Sequence, residues 1–203
     1  MTTMPETLVA SERDALNDLS RHIAQTITAQ TDANRFDAVH AVIVEGHVTE
    51  LALRGCGLTD LPASLAQFAH LRRLDLMDNQ FRAVPAVVLE LASLEVLIVG
   101  DNPLETLPDN IDALPNLTEL YAHSGAFTSL PESIGTLSKL KVLDLGHGRL
   151  ATLPETLGAL TALEILYIHD NALTALSEAL FSRLDRLVYL NMGENPLSSL
   201  PDS

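Results

Sequence analysis

The sequence predicts an α/β solenoid, in which a short unit of one strand and one helical turn recurs along most of the chain. Three observations lead to this fold class. Leucines stand at fixed offsets, the unit recurs at a constant spacing, and its two halves have different hydrophobic periods. Because a unit of this size cannot bury its own apolar face, we expect each unit to pack on its neighbours and to form one continuous core.

The repeated unit is clearest in residues 94–116, which read LEVLIVGDNPLETLPDNIDALPN. Its pattern is L-x-x-L-x-L-x-x-N-x-L-x-x-L-P-x-x-I-x-x-L, with valine at the sixth position of this copy. Copies begin 23 residues apart, except for a last gap of 24, at seven positions: Val48, Leu71, Leu94, Leu117, Leu140, Leu163 and Leu187. This pattern resembles the leucine-rich repeat family, specifically its 23-residue intracellular type. The resemblance implies a right-handed β-α superhelix with a curved parallel sheet on its concave side, and recognition of proteins or peptides.

One copy illustrates the local prediction. After Leu117 the residues alternate with period two, so Leu120 should point into the core while Tyr121 and His123 point out. The second half of the copy has apolar residues at helical spacing after Pro131, which we expect to be the first helical residue. The repeat thus predicts a strand on one side of the solenoid and a short helix on the other.

A helix is predicted ahead of the repeats, over residues 11–29, with Ser11 and Asp14 as a capping box. Its apolar residues share one face: Leu16, Leu19, Ile23 and Ile27. Such a helix would cover the first apolar edge of the solenoid, and the alternative is a helix that binds a partner.

A hairpin is predicted between this helix and the first repeat. Residues 31–37 are polar and indicate a connection, whereas residues 41–44 and 48–53 indicate two strands joined by a turn at Glu45 and Gly46. We therefore divide the chain into an amino-terminal capping helix and hairpin strand, residues 1–47, and a solenoid of seven repeats, residues 48–203, of which the last is incomplete.

The ninth position of the repeat is usually asparagine, at Asn79, Asn102, Asn171 and Asn195, and its amide can bond to buried loop backbone. Cys56 takes this position in the first copy, where we expect a buried substitute for the amide rather than a reactive thiol. Gly125 and Gly148 take it in two middle copies, whose loops we expect to be held less tightly.

The sixth copy has one extra residue, and Ser177 replaces its usual proline. We expect this insertion to enlarge the helix without breaking the register. The seventh copy stops before its helical half, which predicts an exposed apolar layer and possible self-association through the open carboxyl-terminal end.

Composition narrows the classes of partner. Acidic residues outnumber basic ones 27 to 12, for a net charge of −15, which argues against nucleic acid and against an anionic membrane surface. Cys56 is the single cysteine, so no disulfide can form within the chain. The first residues are acidic and lack the apolar core of a signal peptide. These features predict a cytoplasmic protein.

Catalytic signals are missing from the sequence. It contains no P-loop, GxGxxG, GxSxG, HExxH or CxxC motif, and its many carboxylates stand at exposed repeat positions. We therefore predict that the chain is not an enzyme and that it uses no cofactor.

The outward residues of the strands are the candidate binding site. Copies four and six share Tyr-x-His, so Tyr121 and Tyr167 should flank Asp144. His123 and His169 should face each other across a recess at the glycine at position 146, and His147 should lie beside Asp170 of the next copy. The candidate partner-binding residues are Tyr121, His123, Asp144, His147, Tyr167, His169 and Asp170. The alternative is that tyrosine occurs at these positions because it favours β-strands, and not because it binds a partner.

Two other groupings have weaker interpretations. His123 and His169, with Asp144, offer only two clear nitrogen ligands where a structural zinc site has four, so we predict no metal. Four arginines near the first repeats form a basic spot or simply balance local acids: Arg54, Arg72, Arg73 and Arg82.

These observations together predict a non-catalytic scaffold that binds a protein or peptide on its concave face. The alternative is the substrate-recognition segment of a larger enzyme, such as a bacterial effector or a kinase. A third interpretation is a structural solenoid that associates with itself.

Overall fold

The computed structural model describes residues 7–30 and 38–199 of the 203-residue chain, so the predicted connection at 31–37 lies outside the described residues. Within the described ranges, strands form one sheet of nine in sequence order. Their bounds are β1 (Thr28–Gln30), β2 (Val39–Val44), β3 (His47–Leu53), β4 (Arg73–Asp75), β5 (Val96–Ile98), β6 (Glu119–Tyr121), β7 (Val142–Asp144), β8 (Ile165–Tyr167) and β9 (Tyr189–Asn191).

Strands β3 to β9 run parallel, and each pairs with the equivalent residues of the next copy. Leucines at the fourth repeat position are therefore register partners, and from β4 to β8 each is fully buried, at Leu74, Leu97, Leu120, Leu143 and Leu166. This row is the centre of a continuous leucine core. The predicted α/β leucine-rich repeat solenoid is confirmed.

The opposite side of the solenoid is built from short 3₁₀ helices, at Ala63–Gln67, Ala86–Glu90, Ile111–Ala113, Glu132–Thr136 and Glu155–Ala159. Pro131 is not the first helical residue, contrary to the prediction. It has an extended backbone, with φ −67° and ψ 147°, and is the N-cap of the helix that begins at Glu132. A proline fits there because the N-cap residue has non-helical dihedrals.

The amino-terminal helix, α1 (Ala10–His22), is shorter than predicted. Ser11 lies inside it and makes no capping box, because the N-cap is Val9 and no side chain caps the helix. The chain leaves the helix at Ala24, whose φ of 51° is left-handed, and then enters β1. Ile27 is buried but lies beyond the helix, since the chain has already turned to run parallel to β2.

The apolar face of α1 is buried within the chain. Leu16 and Leu19 have no exposed surface, and Ser64 of the first 3₁₀ helix donates a hydrogen bond to Asp18 over 2.7 Å. Glu12 is also buried, at 2% exposure, and accepts a hydrogen bond from the Val48 N–H. The Glu12 carboxylate therefore links α1 to the first repeat by a hydrogen bond. As expected, α1 covers the first apolar edge of the solenoid.

The predicted hairpin is confirmed. Strands β2 and β3 pair antiparallel, and the turn between them is formed by Glu45 and Gly46, with φ of 52° and 83°. A two-residue turn whose backbone twist matches that of the sheet needs positive φ at both residues.

The asparagine ladder is also confirmed. Asn79 accepts hydrogen bonds from the N–H groups of Cys56 and Leu58 and donates to the carbonyls of Leu53 and Leu76, at 2.8–3.1 Å. Asn102, Asn171 and Asn195 bond in the same way to their own and the preceding copy. Each amide thus satisfies loop backbone that the core would otherwise leave unpaired.

The three exceptions to this ladder have distinct surroundings. Cys56 is half-buried rather than buried, its Sγ lies 3.5 Å from the Arg54 carbonyl, and burial raises the pKa of its thiol. At position 125 a Cβ atom would lie 2.2 Å from the ring of Phe127, so this ring occupies the space of an asparagine. At position 148 a Cβ atom would lie 2.7 Å from the Asn171 amide oxygen. The prediction that these glycine loops are loosely held stays a prediction.

The insertion in the sixth copy keeps the register, because Leu166 still pairs with Leu190. The prediction that the extra residue enlarges the helix is wrong: α2 (Glu178–Phe181) has four residues, against five in the preceding 3₁₀ helix. It is a single α-helical turn, and Ser177 accepts a hydrogen bond from the Leu180 N–H. Among the described residues, neither α-helix has the length and hydrophobicity of a membrane span.

Candidate functional site

The outward side chains of strands β3 to β9, with the two residues after each strand, line the concave face. The fifth repeat position forms its central row, in register from Ala52 through Asp75, Ile98, Tyr121, Asp144 and Tyr167 to Asn191. Tyr121 and Tyr167 therefore flank Asp144 as predicted. Since adjacent parallel strands are about 4.8 Å apart, the two tyrosines are separated by about 10 Å.

Tyr121 is anchored within its own strand. Its hydroxyl donates a hydrogen bond to Glu119 over 3.0 Å. Burial and this hydrogen bond raise its pKa to about 12. The ring is half-buried and the phenol remains neutral, so Tyr121 offers a fixed aromatic surface.

His123 lies over the glycine of the preceding copy and not beside Gly146. A Cβ atom at position 100 would come within 2.3 Å of its imidazole, so only glycine leaves the ring this space. The ring Nδ1 is 3.4 Å from an Asp144 carboxylate oxygen, and Nε2 is 3.7 Å from Asp101.

His169 repeats this arrangement two copies further along the chain. A Cβ atom at Gly146 would lie 2.3 Å from the His169 ring. The recess predicted between His123 and His169 is therefore wrong, because His169 itself fills it. The two imidazoles lie over different glycines and do not face each other.

The pKa values of His123 and Asp144 are both shifted toward the charged form of each residue. The contact with Asp144 raises the pKa of His123, although burial works against it. Burial also pushes the pKa of Asp144 upward, but the interaction with His123 and the hydrogen bond from the Gly146 N–H outweigh it and lower that pKa. Each partner thus stabilises the ionised state of the other.

His147 lies beside Asp170, as predicted, with its Nδ1 2.8 Å from the Asp170 carboxylate. Both residues are at the eighth repeat position and have left-handed backbones, with φ of 54° and 50°. The sequence did not indicate the next contact, in which His147 Nε2 is 3.1 Å from His169 Nε2. The structure therefore joins Asp170, His147 and His169 in one chain of contacts.

Tyr189 belongs to the same surface and was missed by the sequence analysis. Its ring centre is 5.2 Å from that of Tyr167, and the residue is 48% exposed. The signal was available at the third repeat position, where Tyr189 is the aromatic member of a row that includes Val142 and Ile165. The sequence analysis considered the fifth, seventh and eighth positions and not the third.

The predicted basic spot is largely neutralised by neighbouring acids. Arg54 contacts the buried Asp75, and Arg72 and Arg82 contact Glu95 and Glu105 one copy further on. Arg73 lies in β4. The interpretation that these arginines balance local acids therefore fits Arg54, Arg72 and Arg82.

Comparison with known proteins identifies the repeats. The family model described as Leucine rich repeat matches residues 69–125 and 115–173, which together span more than half of the 203-residue chain. A search of curated protein sequences gives no significant match.

Solved structures share the fold. A leucine-rich repeat protein of Leptospira interrogans, LIC12759, is 30% identical over 71% of this chain and 43% of its own, with a TM-score of 0.58. The structure of the Drosophila Toll–Spatzle complex is matched at 28% identity over 71% of this chain and 20% of that one, with a TM-score of 0.65. The plant peptide hormone receptor RGFR1, in complex with RGF2, is matched at 27% identity over 67% and 23%, with a TM-score of 0.59.

This chain accordingly spans less than half the length of the chains that it resembles. The match to the family model, the register of the parallel strands and the asparagine ladder all agree. The chain belongs to the leucine-rich repeat family.

Proposed function

We propose that this chain is a non-catalytic scaffold that binds a protein or peptide partner on its concave face. The binding surface comprises Tyr121, His123, Asp144, His147, Tyr167, His169 and Asp170, extended by Tyr189. The observation that supports this proposal is the row of tyrosines in register with Asp144, whose rings are only partly buried. Aromatic side chains of this kind contribute much of the binding energy in protein interfaces.

Related structures support a protein or peptide as the class of partner. The receptor RGFR1 is seen in complex with RGF2, and Toll with Spatzle. By extension we propose a protein or peptide for this chain. The net charge of −15 would select against acidic partners such as nucleic acid and anionic membrane surfaces. We also propose a cytoplasmic location, which the single cysteine supports.

The test compares two double variants as baits for partners in a lysate of the source cells. Tyr121→Ala with Tyr167→Ala removes the aromatic row, and Glu132→Ala with Glu155→Ala is the matched change on the exposed helical side. We expect the tyrosine pair to weaken binding of the captured partner by about 30-fold, or about 2 kcal/mol, as measured by titration calorimetry. The glutamate pair should change it little.

Circular dichroism and chemical denaturation of both variants serve as the control for folding, since the tyrosines are half-buried. If the glutamate pair weakens the partner more than the tyrosine pair does, the concave-face assignment is wrong.

A second candidate function is the recognition segment of a larger protein, such as a bacterial effector or kinase. It is favoured by the small share of each related chain, 43%, 23% and 20%, that the match covers. The length of the native open reading frame tests it: a reading frame that encodes these 203 residues alone would exclude it.

Self-association is a third candidate. In the last copy Val188 is 81% exposed, and Leu187, Leu190 and Leu197 are only partly buried. An apolar surface of this kind favours contact with another copy. Sedimentation of the wild type and of a Val188→Glu, Leu197→Glu variant tests it, and a wild type that is monomeric at high concentration would exclude it.

A further inference from the structure

We propose that His147 and His169 form a binding site for a divalent transition-metal ion of the zinc type. The site shares His147, His169 and Asp170 with the proposed partner surface, but zinc binding there does not require a protein partner. It departs from the prediction, made from His123 and His169, that the chain binds no metal. It lies where the loop after β7 meets the end of β8, and the side chain of His147 is 56% exposed.

The distance between the two ring nitrogens is the first argument. Nε2 of His147 and Nε2 of His169 are 3.1 Å apart, and the rings meet nearly at right angles, with an interplanar angle of 79°. Two imidazole nitrogens bound to one tetrahedral zinc, each at about 2.0–2.1 Å, are separated by about 3.3 Å. The backbone already places both nitrogens at the separation that a shared ion requires.

The second argument is the carboxylate behind His147. Asp170 accepts a hydrogen bond from Nδ1 of His147 over 2.8 Å, which places the ring proton on Nδ1 and leaves the lone pair on Nε2. In the metal-free chain this lone pair accepts a hydrogen bond from the Nε2–H of His169, and zinc would displace that proton. A carboxylate in this position is the usual outer partner of a metal-binding histidine, where it fixes the tautomer and increases basicity.

The second ring is held in place by its surroundings. The imidazole of His169 lies over Gly146, within 2.3 Å of where a Cβ atom would stand, and packs edge-on to Tyr167 with ring centres 6.1 Å apart. The negative charge of Asp144 also acts on His169. A ring that is already positioned loses little freedom when it binds an ion, and the nearby carboxylates favour a cation.

The site is open. No group of three or more histidine, cysteine, aspartate or glutamate side chains arranged for a metal occurs among the described residues. The two imidazoles are therefore the ligands that the chain supplies, and water or a partner side chain would complete the coordination. Imidazole selects zinc, nickel or copper, whereas magnesium and calcium need a set of oxygen ligands.

Titration calorimetry of the metal-free full chain with zinc chloride tests the proposal, with magnesium chloride as the comparison. We expect one zinc ion per chain with a dissociation constant on the order of 10 µM, and no binding of magnesium. His147→Gln and His169→Gln should each weaken zinc binding by about tenfold or more. Asp170→Asn should weaken it by about tenfold, through the orientation of His147.

The matched control is His22→Gln, which changes a partly exposed histidine outside the proposed binding surface that also has a carboxylate, Asp60, beside its ring. This variant should bind zinc like the wild type. The proposal is wrong if the wild type shows no saturable zinc binding, or if the double variant His147→Gln, His169→Gln retains wild-type affinity. Nitrogen chemical shifts of the histidine rings give an independent measurement, since zinc should move the Nε2 signals of these two residues only.

Discussion

The amino-terminal and carboxyl-terminal halves of the concave face share one backbone register but differ in how their charges are paired. Across β3 to β5 the partners are arginines, and Arg54 donates from its Nε to the buried Asp75 over 2.7 Å. Across β6 to β9 the partners are histidines, with His123 beside Asp144 and His147 beside Asp170.

This difference has a consequence for binding. A guanidinium stays charged at all ordinary pH values, so the Arg54–Asp75 contact is permanent and leaves little for a partner to bind. An imidazole changes charge near neutral pH and can bind a metal, and the tyrosines beside it keep part of their aromatic surface exposed. The carboxyl-terminal half is therefore the adaptable part of the face, although the core beneath both halves is the same.

The largest expected effect tests that shared core. Leu74→Ala lies under the arginine half and Leu120→Ala under the start of the histidine half, and both leucines have no exposed surface. Each substitution should lower the free energy of unfolding by about 2–5 kcal/mol, the usual cost of emptying a buried leucine site. Chemical denaturation measures both.

Cys56→Ser is the control for this measurement. Because Cys56 is half-buried and its backbone N–H is already bound by Asn79, the substitution should cost about 1 kcal/mol or less. A loss equal to that of Leu120→Ala would contradict the structural role given to Cys56. Unequal losses at Leu74 and Leu120 would mean that the two halves also differ in their cores.

The next effect concerns the two carboxylates of the central row. Asp75 and Asp144 each accept a hydrogen bond from the N–H two residues later, at Met77 and Gly146. An asparagine at either position keeps a side-chain oxygen that can accept from this N–H, but it removes the negative charge of the carboxylate. Asp75→Asn should therefore cost about 2 kcal/mol, because Asp75 is only 3% exposed, and its loss leaves Arg54 without its charged partner. Asp144→Asn should cost about 1 kcal/mol, because its side chain is 19% exposed.

Thermal or chemical denaturation at neutral pH gives both values. The two costs in the reverse order would show that the histidine half, and not the arginine half, holds the tighter ion pair.

The smallest effect is a pH dependence that only the histidine half should show. The pKa of His123 is raised above its ordinary 6.5, so its contribution to stability is complete below that pH and is lost as pH rises through the raised value. The pKa of Asp144 is lowered below 3.8, so its contribution is present above that pH and is lost as pH falls through the lowered value. The pair is therefore most stabilising between these two values.

We expect His123→Gln to cost about 0.5 kcal/mol more at pH 5.5 than at pH 8.5, as measured by denaturation at the two pH values. Arg54→Gln is the matched control, and its cost should be the same at both, because the guanidinium does not titrate in this range. A pH-independent cost for His123→Gln would contradict the ion pair with Asp144.

Several parts of the candidate site followed from the repeat alone. The alignment of Tyr121, Asp144 and Tyr167 and the contact of His147 with Asp170 could be predicted, because equivalent positions of adjacent copies must become neighbours. The direction of His123 and His169 could not, since each ring moves into the space above a glycine 23 residues earlier, at Gly100 and Gly146. Tyr189 was missed for a simpler reason, as its repeat position was not considered.

The sequence by itself determined the solenoid, its register, the leucine core and the asparagine ladder. These features depend on residue types that recur at a constant spacing, so each copy specifies the environment of the next. Only the tertiary structure decided where α1 ends, which carboxylate each arginine and histidine meets, and that His147 touches His169. Outward side chains are not constrained by the core, and their positions depend on space and charge that several copies supply together.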